Sequence, residues 1–195
     1  MQVTSQTPTL NDTLSAQGAI AWQGDNTAGD QCTFTRGALH VIGPKGGVPG
    51  CLDSAASFGN FALQVKLTII QGDTAGTVFL AHVAGNNFNQ YGYSISADGS
   101  YAFSSVAVDM QNHTGSNPQL LSGGHSSAIN TAANQPNVLT LIARNQTIYL
   151  YINKQYVTTV TEAVTSAMAI GFIGAGKATQ VPVDIACNNF QVWSI

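Results

Sequence analysis

The 195-residue chain carries only 8% charged residues against 44% hydrophobic ones, with a formal net charge of −3. A typical soluble domain is roughly 25% charged, so the polar surface here must be built from Ser, Thr, Asn and Gln, a balance commoner in extracellular and envelope proteins. Six scattered basic residues exclude the phosphate footprint of a nucleic-acid binder, and no apolar run reaches the ~18–20 residues of a bilayer span.

Residues 1–13 are polar and read as an extended lead-in, with no basic or apolar region of a signal peptide behind Met1. The remainder, 14–195, suits a single all-β domain. Short strands are predicted at 20–22, 32–34 and 38–42. Cys32 and Cys51 flank the glycine- and proline-rich stretch from Gly43 to Gly50. They read as a disulfide; the alternative is two reduced apolar thiols. Neither Cys-x-x-Cys spacing nor a second nearby pair suggests a metal.

Between Phe61 and Val83 two strands are written almost in full. Phe61, Leu63, Val65, Leu67 and Ile69 alternate with Ala62, Gln64, Lys66 and Thr68, a turn is predicted over 71–76, and 77–83 runs back. Apolar residues at every second position mean a sheet with one face buried and the other free. Strands at 91–96 and 101–108 follow, joined by Asp98-Gly99, whose residues tolerate positive φ. Residues 111–119 form a polar loop and 128–133 a helical turn or irregular structure. A hairpin spans 138–143 and 147–152, and strands at 156–160, 169–173, 181–185 and 190–193 complete the chain. Cys187, near the last of these, is read as a buried free thiol, with an intermolecular disulfide as the alternative. Close-spaced strands without a long helix predict a two-sheet antiparallel jelly-roll sandwich.

The succession Phe58-Gly59-Asn60-Phe61-Ala62-Leu63-Gln64-Val65 and then Gly72-Asp73-Thr74-Ala75-Gly76-Thr77-Val78-Phe79 resembles the concanavalin A-like lectin/glucanase superfamily. So do Tyr93-Ser94-Ile95 before Asp98-Gly99-Ser100-Tyr101, the run Ile148-Tyr149-Leu150-Tyr151-Ile152-Asn153-Lys154, and the ending Asn188-Asn189-Phe190-Gln191-Val192-Trp193. The likeness, from about Trp22 to Trp193, is to extracellular jelly-roll modules of bacterial membrane proteins such as receptor-type serine/threonine kinases. It implies a jelly roll and a glycan or other extracellular ligand. Catalytic members resemble Glu-x-Asp-x-x-Glu on one strand, and retaining hydrolysis needs two carboxyl groups about 5–5.5 Å apart. Here the sole glutamate, Glu162, has no acidic residue at that spacing, so no catalytic residue is expected and the chain is read as a non-enzyme. Some modules carry an arginine where this chain has Leu80.

The segment Gly171-Phe172-Ile173-Gly174-Ala175-Gly176-Lys177-Ala178 imitates a P-loop, but Ala178 replaces the magnesium-binding hydroxyl and a proline-interrupted β pattern follows. His40, His82, His113 and His125 show no metal-ligand spacing. No cofactor is expected; the calcium alternative rests on oxygen donors in Asp25-Asn26-Thr27-Ala28-Gly29-Asp30. The binding candidates are Asn87, Asn89, Gln90, Tyr91 and Tyr93, with Tyr149 and Tyr151, which alternate with Ile148, Leu150 and Ile152 and so face away from the aliphatic side. Aromatic faces stack on pyranose rings while amides bond hydroxyls. The resulting expectation is a non-catalytic, carbohydrate-binding or ligand-sensing module, extracellular or at the cell surface. No nucleic-acid partner and no membrane insertion by this chain is expected. The alternative is a structural or adhesive subunit that self-associates.

Overall fold

A strand with apolar residues on one side must find a partner for that side, and this requirement organises the whole molecule. The computed structural model describes residues 3–18, 20–24, 29–53, 57–84, 87–109, 114–162, 164, 167–176 and 182–195. After a 3-10 turn at Val3–Ser5, its strands are β1 (Leu10–Asp12), β2 (Gln23–Gly24), β3 (Gln31–Thr35), β4 (Ala38–Gly43) and β5 (Gly50–Asp53). Next come β6 (Phe61–Gln71), β7 (Thr74–Ala84), β8 (Asn87–Ser96), β9 (Ser100–Asp109), β10 (Thr114–Gly115) and β11 (Gln119–His125). The last are β12 (Pro136–Arg144), β13 (Thr147–Ile152), β14 (Gln155–Thr161), β15 (Ala167–Ala175) and β16 (Val183–Ser194).

These strands form two antiparallel sheets. The first runs β14-β13-β12-β6-β16-β4-β3, with β1 taking over beside β16 where β4 ends. The second runs β10-β9-β8-β7-β15-β5-β2, with β11 also beside β9. The alternation of β6 places Phe61, Leu63, Val65 and Leu67 in the core; β8 contributes Tyr91, Tyr93 and Ile95 from the opposite sheet. Burying each such side chain contributes about 1.5–3 kcal/mol. A chain of aromatic rings crosses the interior: Phe61 meets Phe79 edge-on at 5.4 Å, and Tyr91 stacks between Phe79 at 5.1 Å and Phe103 at 5.9 Å.

Specific links hold the layers together. Cys32 on β3 and Cys51 on β5 form a disulfide that joins the two sheets. The Tyr93 hydroxyl on β8 donates to the Tyr151 carbonyl on β13 at 3.3 Å. Asn137 and Asn153 fasten the turns that precede β12: Asn137 exchanges bonds with the Asn130 backbone, and Asn153 Nδ2 donates to Asn137 Oδ1 and the Ala128 carbonyl.

Several boundaries differ from the periodicity. Residues 20–22 are not a strand; pairing with β5 begins at Gln23. The turn expected over 71–76 shortens to Gly72-Asp73, because β7 already pairs from Thr74. The separate strands expected at 181–185 and 190–193 are one strand, β16, carrying a bulge at Asn189. The polar lead-in is tied down: β1 pairs with β16, and Trp193 Nε1 donates to the Gln6 carbonyl at 2.9 Å. Strands β5 and β11 lack alternating apolar residues and were not expected.

Candidate functional site

Because successive side chains alternate, each sheet also presents an outer face, and pairing register determines what stands side by side there. On the first sheet Tyr151 lies opposite Tyr156 on β14 and opposite Thr140 on β12. Thr140 lies opposite Gln64 on β6, Gln64 opposite Gln191 on β16, and Gln191 opposite Asn11 on β1. One transverse row, Tyr156-Tyr151-Thr140-Gln64-Gln191-Asn11, thus crosses six strands. At 4.7–4.9 Å per strand the row spans about 24 Å.

The row is internally braced. Tyr151 and Tyr156 meet edge-on with centroids 5.7 Å apart, and the Tyr156 hydroxyl shares a 2.8 Å hydrogen bond with Thr159. Gln64 Nε2 donates to Thr140 Oγ1 at 2.9 Å, and Gln191 Nε2 donates to Asn11 Oδ1 at 3.2 Å. Each of these amide nitrogens carries a second hydrogen, and each glutamine keeps its carbonyl oxygen. Thr140 is fully buried beneath its neighbours, whereas Tyr156 is 59% exposed. Beneath one flank, Tyr151 packs on a small apolar patch of Ala62, Ile142 and Trp193.

A bulge shapes the other end. Opposite Lys66 and Gln64, which are two residues apart on β6, stand Asn188 and Gln191, so β16 holds one extra residue. Asn189, with φ at 50°, absorbs it in the left-handed region that asparagine tolerates. The parity on both sides survives: Cys187 and Phe190 stay buried while Asn188 and Gln191 face out. Beside the bulge lies a hollow of about 230 Å³ lined by Asn11, Gln64, Lys66, Val138, Asn189 and Gln191.

The residues singled out from sequence do not converge on one place. Tyr149 and Tyr151 stand on the outer face of the first sheet, as their alternation requires, with Tyr149 at 36% exposure and Leu150 at 0%. Tyr91 and Tyr93 belong to the core, a correction to their reading as ligand-stacking residues: they share the face of Ile95, so their rings are buried among Phe79 and Phe103. Burial pushes both phenols up from the usual range, with the Glu162 carboxylate adding to the effect at Tyr91 and the Tyr101 hydroxyl at Tyr93. The Tyr91 hydroxyl donates to Glu162 Oε2 at 3.1 Å and accepts from Asn89 Nδ2. That is internal bonding. Gln90 faces out from the second sheet, opposite Leu80. The segment around Asn87, ahead of the strand expected at 91–96, is the start of β8; the Asn87 side chain lies outside the described residues.

Register alone brings in Asn11, Gln64, Thr140, Tyr156 and Gln191. Gln64 already sits at a polar position of the β6 alternation, but nothing in a single sequence reveals its partners across strands.

The second sheet also presents an outer face, to which Gln90 belongs. Its central row reads Leu52, Gly171, Val78, Gly92 and Ser104. On the outer face of the first sheet Asp184 Oδ1 is 2.7 Å from His40 Nδ1, and at the end of the second sheet Asp73 and Asp98 line a hollow of about 210 Å³ beside the β6–β7 and β8–β9 turns. No three His, Cys, Asp or Glu residues converge among the described residues, and the calcium candidate loop lies largely outside them at 25–28. Of the P-loop imitation, Gly171 to Ala175 belong to β15, and Lys177 and Ala178 lie outside the described residues. Another hollow of about 240 Å³ lies near the β8–β9 turn, lined by Ile69, Ile95, Ala97, Asn130 and Gln135 among others.

No protein-family model matches the chain, and no curated protein matches it. Among solved structures it is similar to carbohydrate binding module CBM66 from Bacillus subtilis, at 16% identity and TM-score 0.68, covering 92% of this chain and 99% of that one. It is also similar to a protein with galectin-like fold from Bacillus subtilis, at 13% identity and TM-score 0.70, covering 97% and 96%. A third similar structure is a beta-glucanase from Bacillus licheniformis, at 10% identity and TM-score 0.60, covering 95% and 98%. Identities this low speak to architecture, and the architecture they share with this chain is the concanavalin A-like jelly roll.

Proposed function

We propose that this domain is a non-catalytic carbohydrate-binding module that holds a polysaccharide against the outer face of its first sheet. The observation that carries the reading is the register-aligned row Tyr156-Tyr151-Thr140-Gln64-Gln191-Asn11. It pairs aromatic rings at one end with amide donors and acceptors along the rest, the combination that sugar rings and their hydroxyls require. Similarity to a carbohydrate binding module supports a glycan ligand. The row itself contains neither aspartate nor glutamate, which favours holding a sugar over cleaving it, although glucanases share the fold. The Cys32–Cys51 bond favours an oxidising, extracellular setting.

Titration calorimetry against a panel of soluble oligosaccharides, with a parallel turnover assay, tests this reading. Binding without cleavage is expected, and Tyr156→Ala and Gln191→Ala should each weaken it about tenfold, or about 1.4 kcal/mol. Hydrolysis of any ligand, or binding indifferent to both substitutions, contradicts it. The competing reading, a self-associating structural subunit, draws on Leu120 at 65% exposure on β11. Light scattering that finds a monomer at all concentrations removes it.

A further inference from the structure

We propose that the hollow beside the β16 bulge is a subsite for an anionic substituent, so that the glycan bound on this face is acidic, carrying carboxylates or sulfate esters. This rests on the carbohydrate-binding reading of the same face. The hollow is lined by one cation, Lys66, and four side-chain amides, those of Asn11, Gln64, Asn189 and Gln191, with Val138 as its apolar wall. Lys66 is half-buried and stands between Val138 on β12 and Asn188 on β16. It forms no ion pair with any described carboxylate.

The chemistry of the lining is donor-rich. The ammonium group offers three hydrogens and no acceptor, and the amide nitrogens of Gln64 and Gln191 each keep a hydrogen beyond the bonds they make within the row. Asp184, a carboxylate on this face, is hydrogen-bonded to His40. A half-buried lysine without a counter-ion attracts an anion more strongly than a fully solvated one, since screening weakens as water is excluded. Because the hollow adjoins Gln64 and Gln191, a sugar seated on the row places a substituent there without leaving the row.

Matched probes separate this inference from its parent. A galacturonate tetramer is compared with its methyl ester, and a sulfated galactan tetramer with its desulfated form, by calorimetry at low and high salt with the wild type, Lys66→Gln and Lys66→Arg. One acidic member is expected to bind at least tenfold tighter than its neutral counterpart. That preference should shrink at high salt and with Lys66→Gln, and persist with Lys66→Arg; whichever pair shows it identifies carboxylate or sulfate as the anion. Neutral and acidic members bound equally, with Lys66→Gln indifferent, overturn the anionic subsite and leave carbohydrate binding standing. Failure of every probe and of the neutral oligosaccharide panel to bind overturns both.

Discussion

Removing the Cys32–Cys51 bond should cost more stability than any single hydrogen bond in the molecule. The two cysteines are 19 residues apart. In the chain-entropy treatment, a closed loop of about that length restricts the unfolded chain by about 3 kcal/mol. The position adds to this expectation, since the bond ties the edge region of one sheet, at β3, to β5 of the other, and Cys51 is fully buried. The test compares the oxidised protein, the reduced protein and a Cys32→Ala/Cys51→Ala variant by urea unfolding and thermal melts. A loss of about 3 kcal/mol should lower Tm by about 6–12 °C in a domain of this size. The variant should lie slightly below the reduced protein because alanine leaves a small void where the Cys51 sulfur sat. A loss under about 1 kcal/mol in both forms would refute the claim that this bond stabilises the fold by restricting the unfolded chain.

Gly171→Ala should destabilise by about 1–3 kcal/mol or prevent folding, because the new Cβ falls onto the Cys51 carbonyl oxygen and the Leu52 side chain; a melt unchanged within 1 °C contradicts the packing of β15 against β5. Stability should also decline in alkali. Burial, with the Asp184 charge adding to it, raises the Cys187 thiol above its ordinary 9.0, and burial raises the Tyr93 phenol above its ordinary 10.0. Both stay protonated in the fold while the unfolded chain ionises, so the unfolded state binds fewer protons and stability falls as pH rises. Urea midpoints should hold steady below about pH 9, drop above it, and drop less in a Cys187→Ala/Tyr93→Phe variant; an equal drop in that variant assigns the effect elsewhere.

The two-layer architecture was legible in single segments. Phe61 to Ile69 states its own pleat, and Ile148 to Ile152 states correctly that Tyr149 and Tyr151 turn outward, because a strand's two faces are local information. Tyr91 and Tyr93 show where that reading stops. Their neighbours Gly92 and Ser94 are small, so the segment alternates aromatic with small residues, and the larger member of each pair takes the interior. The asparagines ahead of them carry no strand pattern, yet ladder bonds to both β7 and β9 hold residues 87–90 extended. The row on the first sheet was illegible for a different reason. Asn11, Gln64, Thr140, Tyr151, Tyr156 and Gln191 are scattered along the whole chain, and only the register of five strand pairings, with bulges near Asn189 and Val157, aligns them. Register is a long-range property, set by how all the apolar faces settle together.

Amide chemical-shift mapping with the tightest-binding oligosaccharide tests the placement of the ligand most directly. Shifts are expected at the side-chain amides of Gln64 and Gln191 and along the backbones of β6, β12, β13 and β16. Perturbations confined to Gln90, Ser94 and Ser104 on the second sheet, or to Asn130 and Gln135 at the hollow near the β8–β9 turn, would place the ligand elsewhere and contradict it.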